Sequence, residues 1–325
     1  MQGSSEHVIL MEKPQWGIDA SPLWSVCRSG NFPTAISCDV IVDWSHCSFA
    51  PVSHIAAAAA VQSAAYSFGF HTSCIPSNSA DRYIARMDYY KMVGIEHNDG
   101  FIRHAERDRF LPLSRIEEFG ANEVAAKLRS TVTSHLSFSE SAVDMMDYAF
   151  GEVLDNVLQH SKTLAPGIAC SQFYQRGNYV DVCVADCGRG VPASMSNNLG
   201  YRGLDDNALL VKAFDKFTGE YFGVPDYGSS EVSGGMGLWI AANIVKALSG
   251  HIWVVSMGSA IDVSVKGIES VSGMYFPGTV VCMRFPVSDK VISGDDVFGN
   301  GSKQPTRWTP GDSWWYEGSD DEVLW

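Results

Sequence analysis

The chain has 325 residues, 46% of them hydrophobic and 18% charged, with a formal net charge of −14. Such a length accommodates roughly two domains with a substantial core. The acidic balance argues against a sequence-independent grip on nucleic-acid phosphates, which needs clustered Lys and Arg.

In chain order, residues 1–33 carry Pro14, Pro22 and Pro33 without a period and read as an irregular N-terminal extension. Residues 34–98 read as a small α/β unit. AISCDVIVDWS is a strand ending at Asp43, and HIAAAAAVQSAAYSFGF is a helix of good formers stopped near Gly69. FHTSCIP is a second strand, and SADRYIARMDYYKMVGI is a second helix with a Ser cap. Strand, helix, strand, helix predicts a parallel sheet with covering helices. Residues 99–119 are charged and contain Pro112. They read as a linker, with Arg103, Arg107, Arg109 and Arg115 on a solvated or interdomain face.

Residues 120–288 read as a second, larger unit. ANEVAAKLRSTVTSHL and SESAVDMMDYAFGEVLDNVLQHS are helices, the second capped by Ser139 or Ser141. GIACSQFYQ and YVDVCVA predict a hairpin through Arg176, Gly177 and Asn178. DDNALLVKAFDKF has helical spacing. TGEYFGVPDYGSSEVSGG is rich in Gly, Ser and Tyr, as expected of a mobile lid, and the segment from Pro192 to Ser233 is expected to order on nucleotide binding. HIWVVS and VVCMRFP complete the sheet, with DVSVKG as an extra strand. Residues 289–325 form an acidic tail with Trp308, Trp314, Trp315 and Trp325, of a composition expected to be disordered.

Three stretches in the second unit carry chemistry. Glu152, Asn156 and His160 stand four apart and share one side of a helix whose apolar face holds Val153, Leu154, Val157 and Leu158. A carboxamide at Asn156 can offer its oxygen to a hard cation such as Mg²⁺, and Glu152 can take a proton from a water or hydroxyl. VCVADCGRGVP ends an apolar run in Asp186, followed by Gly188 and Gly190; the carboxylate can accept from an exocyclic amino group. SGGMGL places Gly234, Gly235, Gly237 and Leu238 at the start of a helix, where exposed amides suit phosphate. Each pattern also occurs in structural roles: a solvated helix face, an Asp-Gly turn, a loop feeding a core helix.

In this order the three stretches resemble the histidine-kinase-like (GHKL, Bergerat-fold) ATPases, in a style similar to anti-sigma-factor serine kinases. Glu152 and Asn156 match the E-x-x-x-N box, Asp186, Gly188 and Gly190 the D-x-G-x-G box, Gly235 and Gly237 the G-x-G box, and Gly278 and Thr279 the late Gly-Thr. The resemblance implies a Bergerat-fold α/β sandwich, a mixed sheet with one helical layer, that binds ATP and Mg²⁺. Asn156 would ligate the metal, Asp186 and Thr279 would read adenine, Gly188, Gly190, Gly234, Gly235, Gly237 and Leu238 would surround the nucleotide, and Glu152 would be the catalytic base. His160 matches the N-x-x-x-H ending of serine-kinase-like members. Residues 34–98 resemble a STAS-like domain, but Val52 stands where phosphorylatable members carry serine. The implied role is docking or dimerisation with a protein partner rather than a phospho-switch.

The expectation is a regulatory ATPase or serine/threonine-type protein kinase; the alternative is a nucleotide-dependent switch without turnover. A sensor histidine kinase is disfavoured, because His135, the only upstream helical candidate, is followed by Leu136. The eight cysteines show no C-x-x-C pair and read as free thiols. With no basic-then-apolar leader and an alanine-rich stretch too short to span a bilayer, the expected location is cytoplasmic.

Overall fold

The computed structural model describes residues 5–14, 17–103, 105–106, 108–216 and 236–298. The N-terminal unit consists of β1 (Glu6–Leu10), α1 (Leu23–Val26), β2 (Asp39–Asp43), α2 (Val52–Ser67), β3 (Thr72–Ile75), α3 (Asp81–Arg86) and α4 (Tyr89–Met92). Its strands form a parallel sheet in the order β1-β2-β3, as the βαβ rhythm predicts. Three details differ from the sequence reading. The strand β1 lies in the stretch read as irregular; five residues show little period, and their partner β2 is far along the chain. The single helix expected over 79–95 is two, because Asp88 takes a left-handed φ of 61°. The expected Ser cap is not made: Ala80 precedes α3 without a side-chain cap, and Ser77 Oγ accepts from the Ala80 N–H at 2.9 Å in the turn ahead of it.

The larger unit adds β4 (Phe110–Ile116), α5 (Ala121–Thr133), β5 (Ser137–Phe138), α6 (Glu140–His160), β6 (Gly167–Tyr174), β7 (Tyr179–Asp186), α7 (Gly190–Met195), α8 (Asp206–Lys212), α9 (Gly237–Ala247), β8 (His251–Met257), β9 (Ser259–Ser264), β10 (Gly267–Ser270), β11 (Phe276–Pro286), β12 (Val291–Ile292) and α10 (Gly294–Phe298). Seven strands form one sheet in the order β10-β9-β8-β11-β7-β6-β4. Every neighbouring pair is antiparallel, so the mixed sheet expected is not the one formed. Residues 110–116, read as linker, are the edge strand β4. An edge tolerates Pro112, and the pairing with β6 slips between Leu111 and Ser114. Arg103, from the same stretch, ion-pairs with Asp99 at 2.6 Å and with Asp88.

Both faces of this sheet are covered, where a single helical layer was expected. Cys170, Cys183, Cys282 and Trp253 stand side by side across β6, β7, β11 and β8 and belong to the core that contains α2. Their alternating neighbours Ala169, Val182, Val184, Val281 and Met283 belong to the core formed with α5, α6 and α9. The physical reason lies in α2, which is apolar all round and therefore needs cover on every side. Val52 through Ala65 are all buried; of the few polar side chains among them, Gln62 donates to the Ser73 carbonyl at 2.8 Å and accepts from the Tyr89 hydroxyl. The Val52 N–H donates to the Tyr174 hydroxyl at 3.0 Å, fixing the start of α2 to β6. Among the described residues, no helix is long and apolar enough to cross a membrane.

Candidate functional site

The 21-residue helix α6 starts at Ser139, whose Oγ accepts from the Ala142 N–H at 3.3 Å, which decides between the two predicted caps. Its final turns run along the larger core and present Glu152 and Asn156 to a cleft. The floor is β7 and β11, where Asp186 and Thr279 are direct cross-strand partners. The far walls are α7 and the first turn of α9. This cleft gathers Glu152, Asn156, Asp186, Gly190, Gly237, Leu238 and Thr279. Gly188 lies behind it: a Cβ there would collide with the Ser161 carbonyl at the end of α6. The adjacent Arg189 N–H donates to that carbonyl at 2.9 Å, so Gly188 locks α6 to the end of β7. Gly234 and Gly235, residues 217–233 of the proposed lid, residues 299–325 of the acidic tail and the His160 side chain lie outside the described residues. The start of the lid segment is the ordered α7 and α8, and the start of the stretch expected to be disordered is β12, paired with β5, and α10.

The two carboxyl groups have different environments. Burial pushes Glu152 up to about 7; the hydrogen bond from the Tyr148 hydroxyl, one turn back, opposes the shift, and Asp155 adds to it. Burial also raises Asp186 to about 7, against the Gly188 N–H, which donates to its Oδ1 at 2.8 Å. Asp186 is 7% exposed and sits in an apolar slot lined by Val157, Val184, Val191, Met195 and Val281. A flat apolar slot with one carboxylate at its base suits a purine whose amino group donates to that acid.

Two glycines are required by backbone geometry. Gly190 has a φ of 80°, and a Cβ on it would meet Met257 Cγ at 2.8 Å. Gly278 has a φ of 144° and lies against the Asp186 carbonyl. Ser256, a residue that sequence patterns do not single out, ties these parts together. Its Oγ accepts from the Val191 N–H at 2.9 Å, donates to the Gly278 carbonyl at 3.1 Å and lies 2.9 Å from Thr279 Oγ1. A lone serine in a strand carries no motif, so only its tertiary neighbours reveal it.

Asn156 is exposed to the cleft, and its carboxamide makes no hydrogen bond among the described residues. Among the described residues, no group of three or more His, Cys, Asp or Glu side chains could hold a metal. One free carboxamide without a carboxylate cage fits a Mg²⁺ held chiefly by phosphate oxygens and water, the usual mode for that ion.

Residues 143–289 match the family model described as histidine kinase-, DNA gyrase B-, and HSP90-like ATPase. This region is similar to ATPase domains of that type, and the match leaves β4, α5 and the N-terminal unit outside it. No curated protein matches the chain.

Proposed function

We propose that the protein binds Mg·ATP in the cleft between α6 and α9 and uses it for hydrolysis or for phosphoryl transfer to a hydroxyl, as a regulatory ATPase or serine/threonine-type kinase. The observation that carries this reading is Glu152: a half-buried carboxyl raised to about 7, one turn from the free carboxamide of Asn156 and against the N-terminus of α9. A base near neutrality is well matched to taking a proton from water or a hydroxyl at physiological pH.

Asp186, with Thr279 beside it, would accept from the adenine amino group. The amides opening α9 at Gly237 and Leu238 would face the phosphates. Asn156 would hold Mg²⁺, whose chemical contribution is to neutralise charge on the phosphates. Glu152 would orient and deprotonate the attacking oxygen, with Tyr148 holding its carboxylate in place.

A nucleotide-dependent switch is the second reading, favoured by one observation. The N-terminal unit shares a continuous core with the strands that carry Asp186 and Thr279, so occupancy of the cleft and the state of that unit can be coupled. In this reading the STAS-like unit is the part that meets a protein partner. Phosphate release with Mg·ATP, measured for the wild type and Glu152→Gln, separates the two. Turnover lost in the variant supports catalysis; ATP binding without turnover in the wild type supports the switch.

A further inference from the structure

The parallel sheet β1-β2-β3 has one filled face and one bare face. Ile9, Val40 and Val42 point toward α2 and are 0% exposed. The alternating residues point the other way. Across that outer face Leu10, Asp43 and Ile75 form one row, Val8, Ile41 and Ser73 the next, and Glu6 lies beside Asp39. Val8, Leu10 and Ile75 are 45%, 48% and 45% exposed. Val8, Leu10, Ile41 and Ile75 belong to neither hydrophobic core, nor to the partly buried side chains packed against them. Parallel sheets ordinarily have both faces covered, and a contiguous aliphatic patch with a polar rim is the usual mark of an interaction surface.

We infer that this face docks an amphipathic helix of a partner protein, with an aliphatic stripe flanked by basic residues. The inference rests on reading the N-terminal unit as a docking part and is independent of the nucleotide chemistry. Charge selects the occupant. The patch carries Glu6, Asp39 and Asp43 on a chain of net charge −14. A second copy seated symmetrically on the same face would set those carboxylates against their own equivalents. The chain's own residues 299–325 hold Asp312, Glu317, Asp320, Asp321 and Glu322 against only Lys303 and Arg307, so they too carry the wrong sign. A basic helix brings the opposite sign to the rim while its stripe covers Val8, Leu10, Ile41 and Ile75.

The test uses the full chain and a labelled synthetic helix of roughly 18 residues with a leucine stripe flanked by lysines. Two controls are the same helix with glutamates for lysines and a scrambled helix without the stripe. Fluorescence anisotropy should show binding of the lysine helix only. The double variant Val8→Ser with Ile75→Ser should weaken it about tenfold or more, with circular dichroism and ATP titration unchanged. The charge variant Glu6→Gln with Asp43→Asn should weaken it and flatten its salt dependence.

Equal binding of the scrambled helix, or indifference to the Val8 and Ile75 changes, overturns the inference. A concentration-dependent dimer in sedimentation that the same double variant abolishes assigns the face to a second copy; it overturns the inference but keeps the docking reading. Binding that emerges only after removal of residues 299–325 assigns the face to the chain's own tail and overturns it as well. Absence of both peptide binding and dimer formation defeats the docking reading together with the inference. ATP titration reports on the nucleotide reading in every case.

Discussion

Gly237 lies directly against Glu152: a Cβ on the glycine would overlap the Cβ of the glutamate. The start of α9 is thereby pressed onto the helix that carries the proposed base. The glycine is needed here for closeness rather than for an unusual backbone angle. Gly237→Ala should push α9 away from α6, costing about 1–3 kcal/mol of stability and weakening ATP binding. Denaturant unfolding beside nucleotide titration checks both; a variant with wild-type affinity would show that this contact does not shape the phosphate end of the cleft.

Glu152 and Asn156 share one face of α6 but should fail differently. Asn156→Ala removes a charge-assisted interaction worth roughly 1.5–3 kcal/mol, so the Mg²⁺-dependent part of ATP affinity should fall about tenfold or more. Glu152→Gln should bind ATP nearly as well as the wild type, while turnover falls by about 10²–10⁴. Because burial raises Glu152 to about 7, wild-type turnover should climb with pH through about 7 and then level. The residual rate of Glu152→Gln should lack that step.

Asp186 links pH to both affinity and stability. Its folded value near 7 lies above the ordinary 3.8, so the folded protein holds a proton there that the unfolded chain has released. The associated stability is fully present below about 4 and is lost as pH rises through about 7. An adenine amino group donating to the carboxylate favours the ionised form. ATP binding should therefore tighten between about pH 6 and 8 and release a proton at this residue. Titration calorimetry in buffers of different ionisation enthalpy measures that release. Asp186→Asn should abolish this component and make stability less sensitive to pH between about 4 and 7.

Arg284 grips Asp181 through two hydrogen bonds of 2.7 Å, with both side chains almost fully buried. Its Nη1 also donates to the Gly17 and Ala20 carbonyls at 2.8 and 3.2 Å, and the guanidinium lies 3.8 Å from the Tyr179 ring centre. This pair anchors the N-terminal arm to the sheet. Arg284→Met should destabilise the fold by about 3–5 kcal/mol, because Asp181 is left buried without its partner. Adding Asp181→Leu should recover much of the loss, as chemical denaturation of the single and double variants would show.

Incubation with ATP should leave no phosphate on Ser53. Val52, Ser53 and His54 are all 0% exposed, packed at the start of α2 against the large sheet. Mass spectrometry after incubation with Mg·ATP is the check; stoichiometric phosphate on Ser53 would mean that α2 leaves the sheet.

The sequence by itself determined what depends on local spacing. Glu152 and Asn156 share a helix face because they stand four apart. The hairpin β6–β7 forms around a turn in which Asn178 takes a φ of 53°. Asp186 ends an apolar strand, and Gly237 opens α9. Tertiary structure decided what depends on partners distant in the chain. EHVIL becomes β1 only because β2 offers an edge, and residues 110–116 become β4 despite Pro112 because β6 does the same. The alanine-rich α2 could signal its burial by being apolar all round, but not which two layers would enclose it. Ser256 acquires its role from Val191 on α7 and from Gly278 and Thr279 on β11, two segments remote from its own strand. Helical and strand periods are properties of neighbours in sequence; cross-strand registry, two-sided burial and the raised pKa of Glu152 and of Asp186 arise only when remote segments exclude water together.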